Sequence, residues 1–146
     1  MRAHVTIVGH SYGSVVAGRA MKEDPLHPLP VDDVVVVGSP GMDANSRREL
    51  MSPDVRVWAG KTSTPGVPSA LVMASGSSLF LLDKGLRVIG GSDVVPMAPV
   101  HGRDPAAKEF GARSLPTDGH GHSEYFTPGT QSLKSIARVA VGFPKP

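Results

Sequence analysis

His4-Val5-Thr6-Ile7-Val8-Gly9-His10-Ser11-Tyr12-Gly13-Ser14 decides the fold of this chain. His4 to Val8 is a short β-branched run ended by Gly9, the profile of a buried strand. From Tyr12 to Lys22, Val15, Val16, Ala17, Ala20 and Met21 recur at helical spacing. Asp24-Pro25 closes that helix, because proline disfavours helical geometry at the residue before it. Between strand and helix stands Gly9-His10-Ser11-Tyr12-Gly13, a G-x-S-x-G pentapeptide.

That spacing has a steric cause. A turn sharp enough to present a serine at a strand end forces the serine backbone into strain, and side chains two residues either side collide. Glycine at Gly9 and Gly13 is expected to relieve the collision. The serine oxygen then stands at a helix N-terminus, where backbone N–H groups, Tyr12's among them, can stabilise a developing oxyanion. An ordinary βα turn is the competing reading, since glycine-rich chains produce the pentapeptide by chance.

Working outward, Val34-Val35-Val36-Val37 is apolar on both faces, as suits a central parallel strand covered by helices. Gly38-Ser39-Pro40-Gly41 stops it, and the polar segment Asp43 to Leu50 has room for a short helix. Val55 to Gly60 and Leu86 to Ile89 are further strands, and Ala112 to Leu115 is an edge strand. Residues 61–85, rich in Ser, Gly and Pro, read as an irregular insertion or lid. Leu133, Ile136, Ala137 and Ala140 fall at i, i+3, i+4, i+7, the stripe of a packed final helix. Thr127 or Thr130 suits its start and Gly142 its end. Strand and helix alternating in this way predict an α/β fold with a mostly parallel sheet.

Composition narrows the partners. The charges are interspersed, with no basic run longer than Arg47-Arg48, and there are only four Phe, two Tyr and one Trp to stack on bases, so nucleic acid is not expected. The absence of cysteine removes disulfides, thiolate nucleophiles and cysteine-bound zinc. No signal peptide is visible, and the longest apolar patch, Leu79 to Leu82, falls far short of the ~20 residues that span a bilayer. Nothing in the chain assigns a compartment.

A serine hydroxyl needs a base. His4 lies on the strand, His10 in the turn and His27 in a proline-rich loop, while His101 opens His101-Gly102-Arg103-Asp104-Pro105, which reads as a turn. His120 and His122 follow the last strand and precede the final helix, where the order Ser, acid, His puts a base. His122, in Gly121-His122-Ser123-Glu124-Tyr125, is the better placed. A flexible polar loop, or a metal pair at His120 and His122, is the alternative; a metal requires a third ligand that no pattern here specifies. For the acid, Asp93 follows the Leu86 to Gly91 strand, Asp104 is the runner-up in an Asp-Pro turn, and Asp83 beside Lys84 reads as a solvated pair.

Taken in order, these motifs resemble an actinobacterial α/β-hydrolase family, largely uncharacterised. The resemblance is carried by Gly9 to Ser14, Val34 to Gly41, Asp93-Val94-Val95, His101 to Pro105, Phe110 to Arg113 and Gly121 to Phe126. It implies a Ser11, Asp93, His122 triad acting on a small-molecule acyl substrate without a cofactor. In such hydrolases the serine turn follows the fifth strand, whereas here only ten residues precede Ser11. Residues 1–146 are therefore expected to be a partial domain, whose first strand leaves one sheet edge open for association. A catalytically inactive remnant or a partner-binding half-domain is the alternative to an active hydrolase.

Overall fold

Four consecutive valines, Val34 to Val37, are completely buried and anchor the structure. At about 1.5–3 kcal/mol each, their burial is a large share of what holds the sheet together. The structure is a computed structural model that describes residues 2–24, 26–50, 54–62, 101–119, 121 and 123–143. Within them the elements run β1 (Thr6–His10), α1 (Gly13–Glu23), β2 (Asp33–Val37), β3 (Gly41–Ala44), β4 (Arg56–Gly60), β5 (His101–Gly102), β6 (Arg113–Ser114) and α2 (Gln131–Ala140), with short 3₁₀ turns at Arg47–Leu50, Lys108–Phe110 and Glu124–Phe126. The expected strand at Leu86 to Ile89 and the insertion beyond Thr62 lie outside the described residues.

The main sheet has the order β1-β2-β4-β6 and is parallel throughout, while β3 and β5 pair in parallel beside it. Side chains of successive strand residues point to opposite faces, and the core divides accordingly. Val34, Val36, Val57 and Ala59 face Ala17 and Met21 of α1 and Met42 of β3. Val35, Val37 and Trp58 face Ile136 and Val139 of α2, with Leu115 and Tyr125. This is the mostly parallel, helix-flanked α/β architecture that the sequence predicts. No helix among the described residues is long and apolar enough to cross a membrane.

Asp33 is the polar exception in β2, only 1% exposed. Its carboxylate accepts from Arg56 Nε at 2.8 Å and Nη2 at 2.6 Å, and from Trp58 Nε1 at 2.7 Å. A buried carboxylate is tolerated when its lone pairs are used in this way. These bonds tie β2 to β4 at the amino end of the sheet, opposite the serine turn.

Two local expectations are corrected. Gly9 does not end β1: the strand starts at Thr6 and runs through Gly9 to His10, because its ladder with β2 continues to the pair His10–Val37. The short helix for which Asp43 to Leu50 has room is the 3₁₀ turn at Arg47–Leu50, with the end of β3 covering Asp43 and Ala44 before it. The buried stripe of α2 is Ser132, Ser135, Ile136 and Val139, one position round from the apolar stripe. Two serines can be buried because Ser132 Oγ is bonded to Asp118 and Ser135 Oγ accepts from Gln131. Thr130 caps the helix by accepting from Leu133 N–H, and Gly142 at φ 82° follows it.

Candidate functional site

Between β1 and α1 the chain reverses in two residues, Ser11 and Tyr12. Ser11 has φ 53°, the left-handed region that strains any residue bearing a Cβ. Its backbone is held on both sides: the N–H donates to the Val37 carbonyl at 3.0 Å, and the carbonyl accepts from Ser14 N–H at 3.1 Å and Ser14 Oγ at 2.6 Å. Among the described residues the Ser11 hydroxyl has no hydrogen-bond partner. The turn lies at the carboxyl edge of a parallel sheet, where α/β proteins of this kind bind ligands.

The two glycines play different parts. A Cβ on Gly9 would stand 3.0 Å from the Gly13 carbonyl oxygen and from Ser14 N and Cα, backbone atoms that cannot yield. At Gly13 a Cβ would meet nothing within 4 Å. The steric demand of the turn therefore falls on Gly9, and Gly13 opens the helix.

Tyr12 is 55% exposed and is the residue that precedes α1. No acidic side chain stands in the first turn of that helix, so the positive end of its dipole is not offset there. The Tyr12 ring meets His101 edge-on, centroids 5.5 Å apart. His101, expected in a simple turn, instead belongs to β5 and pairs with Gly41 of β3.

On the other side of the turn, the His10 ring packs 5.8 Å from Tyr125 and 5.7 Å from Phe126. The buried Tyr125 hydroxyl accepts from Thr62 N–H at 2.8 Å, just beyond β4, and Thr62 Oγ1 donates to the Gly121 carbonyl at 3.2 Å. Gly121 and Ser123 to Phe126 thus flank the carboxyl edge beside His10. His120, His122 and Asp93 lie outside the described residues. Asp104 has a local role: Oδ1 accepts from Ala106 N–H at 2.8 Å and Oδ2 pairs with Lys61 at 3.0 Å. Among the described residues no three metal-ligating side chains converge.

Asp118 steadies the approach to this loop. Its carboxylate accepts from the N–H groups of Gln131 and Ser132 at 2.8 and 2.9 Å. Those bonds hold it below the usual carboxylate range. Sequence reasoning gave no role to Asp118, Thr62, Tyr125, Ser14 or Ser39, each of which has a partner distant along the chain. Ser14, Ser39 and Tyr125 carried a local signal in standing within the motifs of the family resemblance.

Comparison with known proteins agrees with this architecture. Residues 1–70 match a family model described as alpha/beta hydrolase. Over 152 positions the chain is 32% identical to the uncharacterized protein Rv2079 of Mycobacterium tuberculosis (strain ATCC 25618 / H37Rv), a match covering 95% of this chain and 21% of that protein. A 47-residue segment, 32% of the chain, is 43% identical to the uncharacterized protein Mb0988c of Mycobacterium bovis (strain ATCC BAA-935 / AF2122/97), of which it covers 16%. The chain therefore spans about a fifth of the length of the curated relatives that match most of it. No solved structure gives a significant match.

Proposed function

We propose that this chain, whose residues 1–70 match an alpha/beta hydrolase family model and whose described residues build a parallel, helix-flanked sheet, is a serine hydrolase cleaving an ester or related acyl bond. Ser11 is the nucleophile, His122 the general base and Asp93 the acid that orients it. One observation carries the reading: Ser11 is held at φ 53° in a two-residue turn between a parallel strand and a helix. Such strain at a serine between strand and helix is what a nucleophile elbow requires, and it supports this reading. Its hydroxyl, uncommitted among the described residues, is available to a substrate.

In this scheme Ser11 Oγ attacks the acyl carbonyl while His122 takes the serine proton. Negative charge gathers on the former carbonyl oxygen, where Tyr12 N–H and the α1 dipole oppose it. Collapse of the intermediate breaks the bond to the leaving group, which receives the proton from His122. Water, deprotonated by His122, then attacks the acyl-serine and releases the acid. Asp93 keeps the imidazole in the tautomer that accepts from serine. The scheme needs no cofactor, and the substrate is a small acyl compound.

A fluorophosphonate probe tests the reading. The folded protein is expected to be labelled at Ser11, to lose the label in Ser11→Ala and to be labelled far more slowly in His122→Ala. A folded wild-type chain that takes up no probe overturns it.

A second reading, a half-domain that associates with another polypeptide, is favoured by β1. Among the described residues it pairs only with β2, and Val5 and Val8 are 39% and 40% exposed. An open, apolar strand edge is a template for a further strand. Sedimentation that shows a monomer unaffected by Val8→Lys would remove this reading.

A further inference from the structure

We infer that Ser14 and Ser39 are positioning residues that aim the Tyr12 N–H through a one-way hydrogen-bond chain running from Gly41 N–H to the Ser11 carbonyl. The inference rests on Ser11 being the nucleophile. Both side chains are buried, Ser14 at 0% and Ser39 at 4% exposure.

A hydroxyl carries one proton, so each serine donates once. Ser14 Oγ lies 2.6 Å from the Ser11 carbonyl oxygen, 2.6 Å from Ser39 Oγ and 3.0 Å from the Gly41 carbonyl oxygen. Ser39 Oγ lies 3.0 Å from the Gly41 carbonyl oxygen and accepts from Gly41 N–H at 3.0 Å. The two shortest contacts are both used if Gly41 N–H donates to Ser39, Ser39 to Ser14, and Ser14 to Ser11. Bonds aligned in one direction polarise and strengthen one another.

The end of this chain explains its value. The Ser11 carbonyl and the Tyr12 N–H belong to one planar trans peptide and point in opposite directions. Drawing the carbonyl inward onto Ser14 turns the N–H outward, towards the position an oxyanion occupies. Ser14 N–H alone, at 3.1 Å, leaves that plane freer to rock. The buried β2–β3 loop, through Ser39, thereby reaches the donor that the proposed chemistry uses.

The test compares wild type with Ser14→Ala in hydrolysis of a short-chain p-nitrophenyl ester and in amide hydrogen exchange. Loss of one well-made hydrogen bond is expected to lower kcat about tenfold. KM stays within about twofold, because a transition-state donor rather than ground-state binding is disturbed. Exchange at the Ser11 and Ser14 amides should rise by about the same factor as kcat falls. An active wild type with unchanged kcat in Ser14→Ala overturns the inference. Where the wild type itself neither hydrolyses ester nor takes up probe, the nucleophile reading falls; exchange then judges the chain of bonds alone, and unchanged exchange overturns it. If Ser14→Ala does not fold, Ser39→Ala carries the test. It leaves the Gly41 carbonyl open to draw Ser14's proton away from Ser11, with an expected effect of about threefold on both readouts. No change there overturns the inference equally.

Discussion

The hydroxyl of Tyr125 accepts the backbone N–H of Thr62 at 2.8 Å, joining the loop after residue 122 to the carboxyl end of β4 across 63 positions of sequence. Tyr125 is 2% exposed, so this hydroxyl sits where an unmade bond is costly. Through it, residues on either side of His122 are referred to the same sheet edge as Ser11.

Tyr125→Phe tests that link. The ring still fills its place in the core, but the Thr62 N–H loses its acceptor. A loss of about 1–2 kcal/mol in urea unfolding is expected, and probe labelling of Ser11 should slow as the 121–126 loop loosens. Unchanged stability and labelling would show that the bond contributes nothing.

Asp33 predicts an acid-sensitive sheet. Burial pushes its carboxyl up, but the hydrogen bonds from Arg56 and Trp58 and the Arg56 charge outweigh burial and hold it below its ordinary 3.8. A carboxyl depressed in the folded state stabilises fully above the unfolded value, and that contribution is lost as pH falls from there through the folded value. Urea midpoints for the wild type should thus fall more steeply below about pH 4 than those for Asp33→Asn. At pH 7 Asp33→Asn should cost about 2–3 kcal/mol, between an exposed and a buried pair because Arg56 is a third exposed.

The glycines of the first helix should respond in opposite directions. A Cβ on Gly18 would lie 1.9 Å from the Met42 carbonyl oxygen, so Gly18→Ala must push α1 off β3 and should cost about 1–3 kcal/mol. Gly13→Ala meets open space in a helix and should stabilise by up to about 1 kcal/mol. Thermal melts of the two variants check the contrast. Equal effects would mean that the close approach of α1 to β3 is absent.

Asp118→Ala should fray α2 without unfolding the sheet. The variant removes the acceptors for Gln131 and Ser132 N–H, leaving the cap to Thr130. Faster amide exchange confined to the first turn of α2 is the expected outcome, and unaltered exchange there would contradict the capping role.

Much of the fold was legible because its signals are local. A run of valines states that a strand is covered on both faces, and a serine between two glycines after a strand states a sharp turn. Both depend on residues adjacent in the chain. The ends of β1 were less legible, because a strand continues as far as its partner's hydrogen bonds, and those belong to β2. The two buried serines of α2 read as polar until Asp118 and Gln131 stand beside them.

By itself the sequence determined the alternation of strand and helix, the two-faced burial of β2 and the identity of the serine in the turn, since propensity, periodicity and sterics act over a few residues. Only the tertiary structure decided that Ser14 and Ser39 meet under Ser11, that His101 faces Tyr12, and that Tyr125 ties its loop to β4. Those contacts are made by side chains whose separation along the chain carries no pattern, and packing alone brings them within hydrogen-bond or van der Waals range.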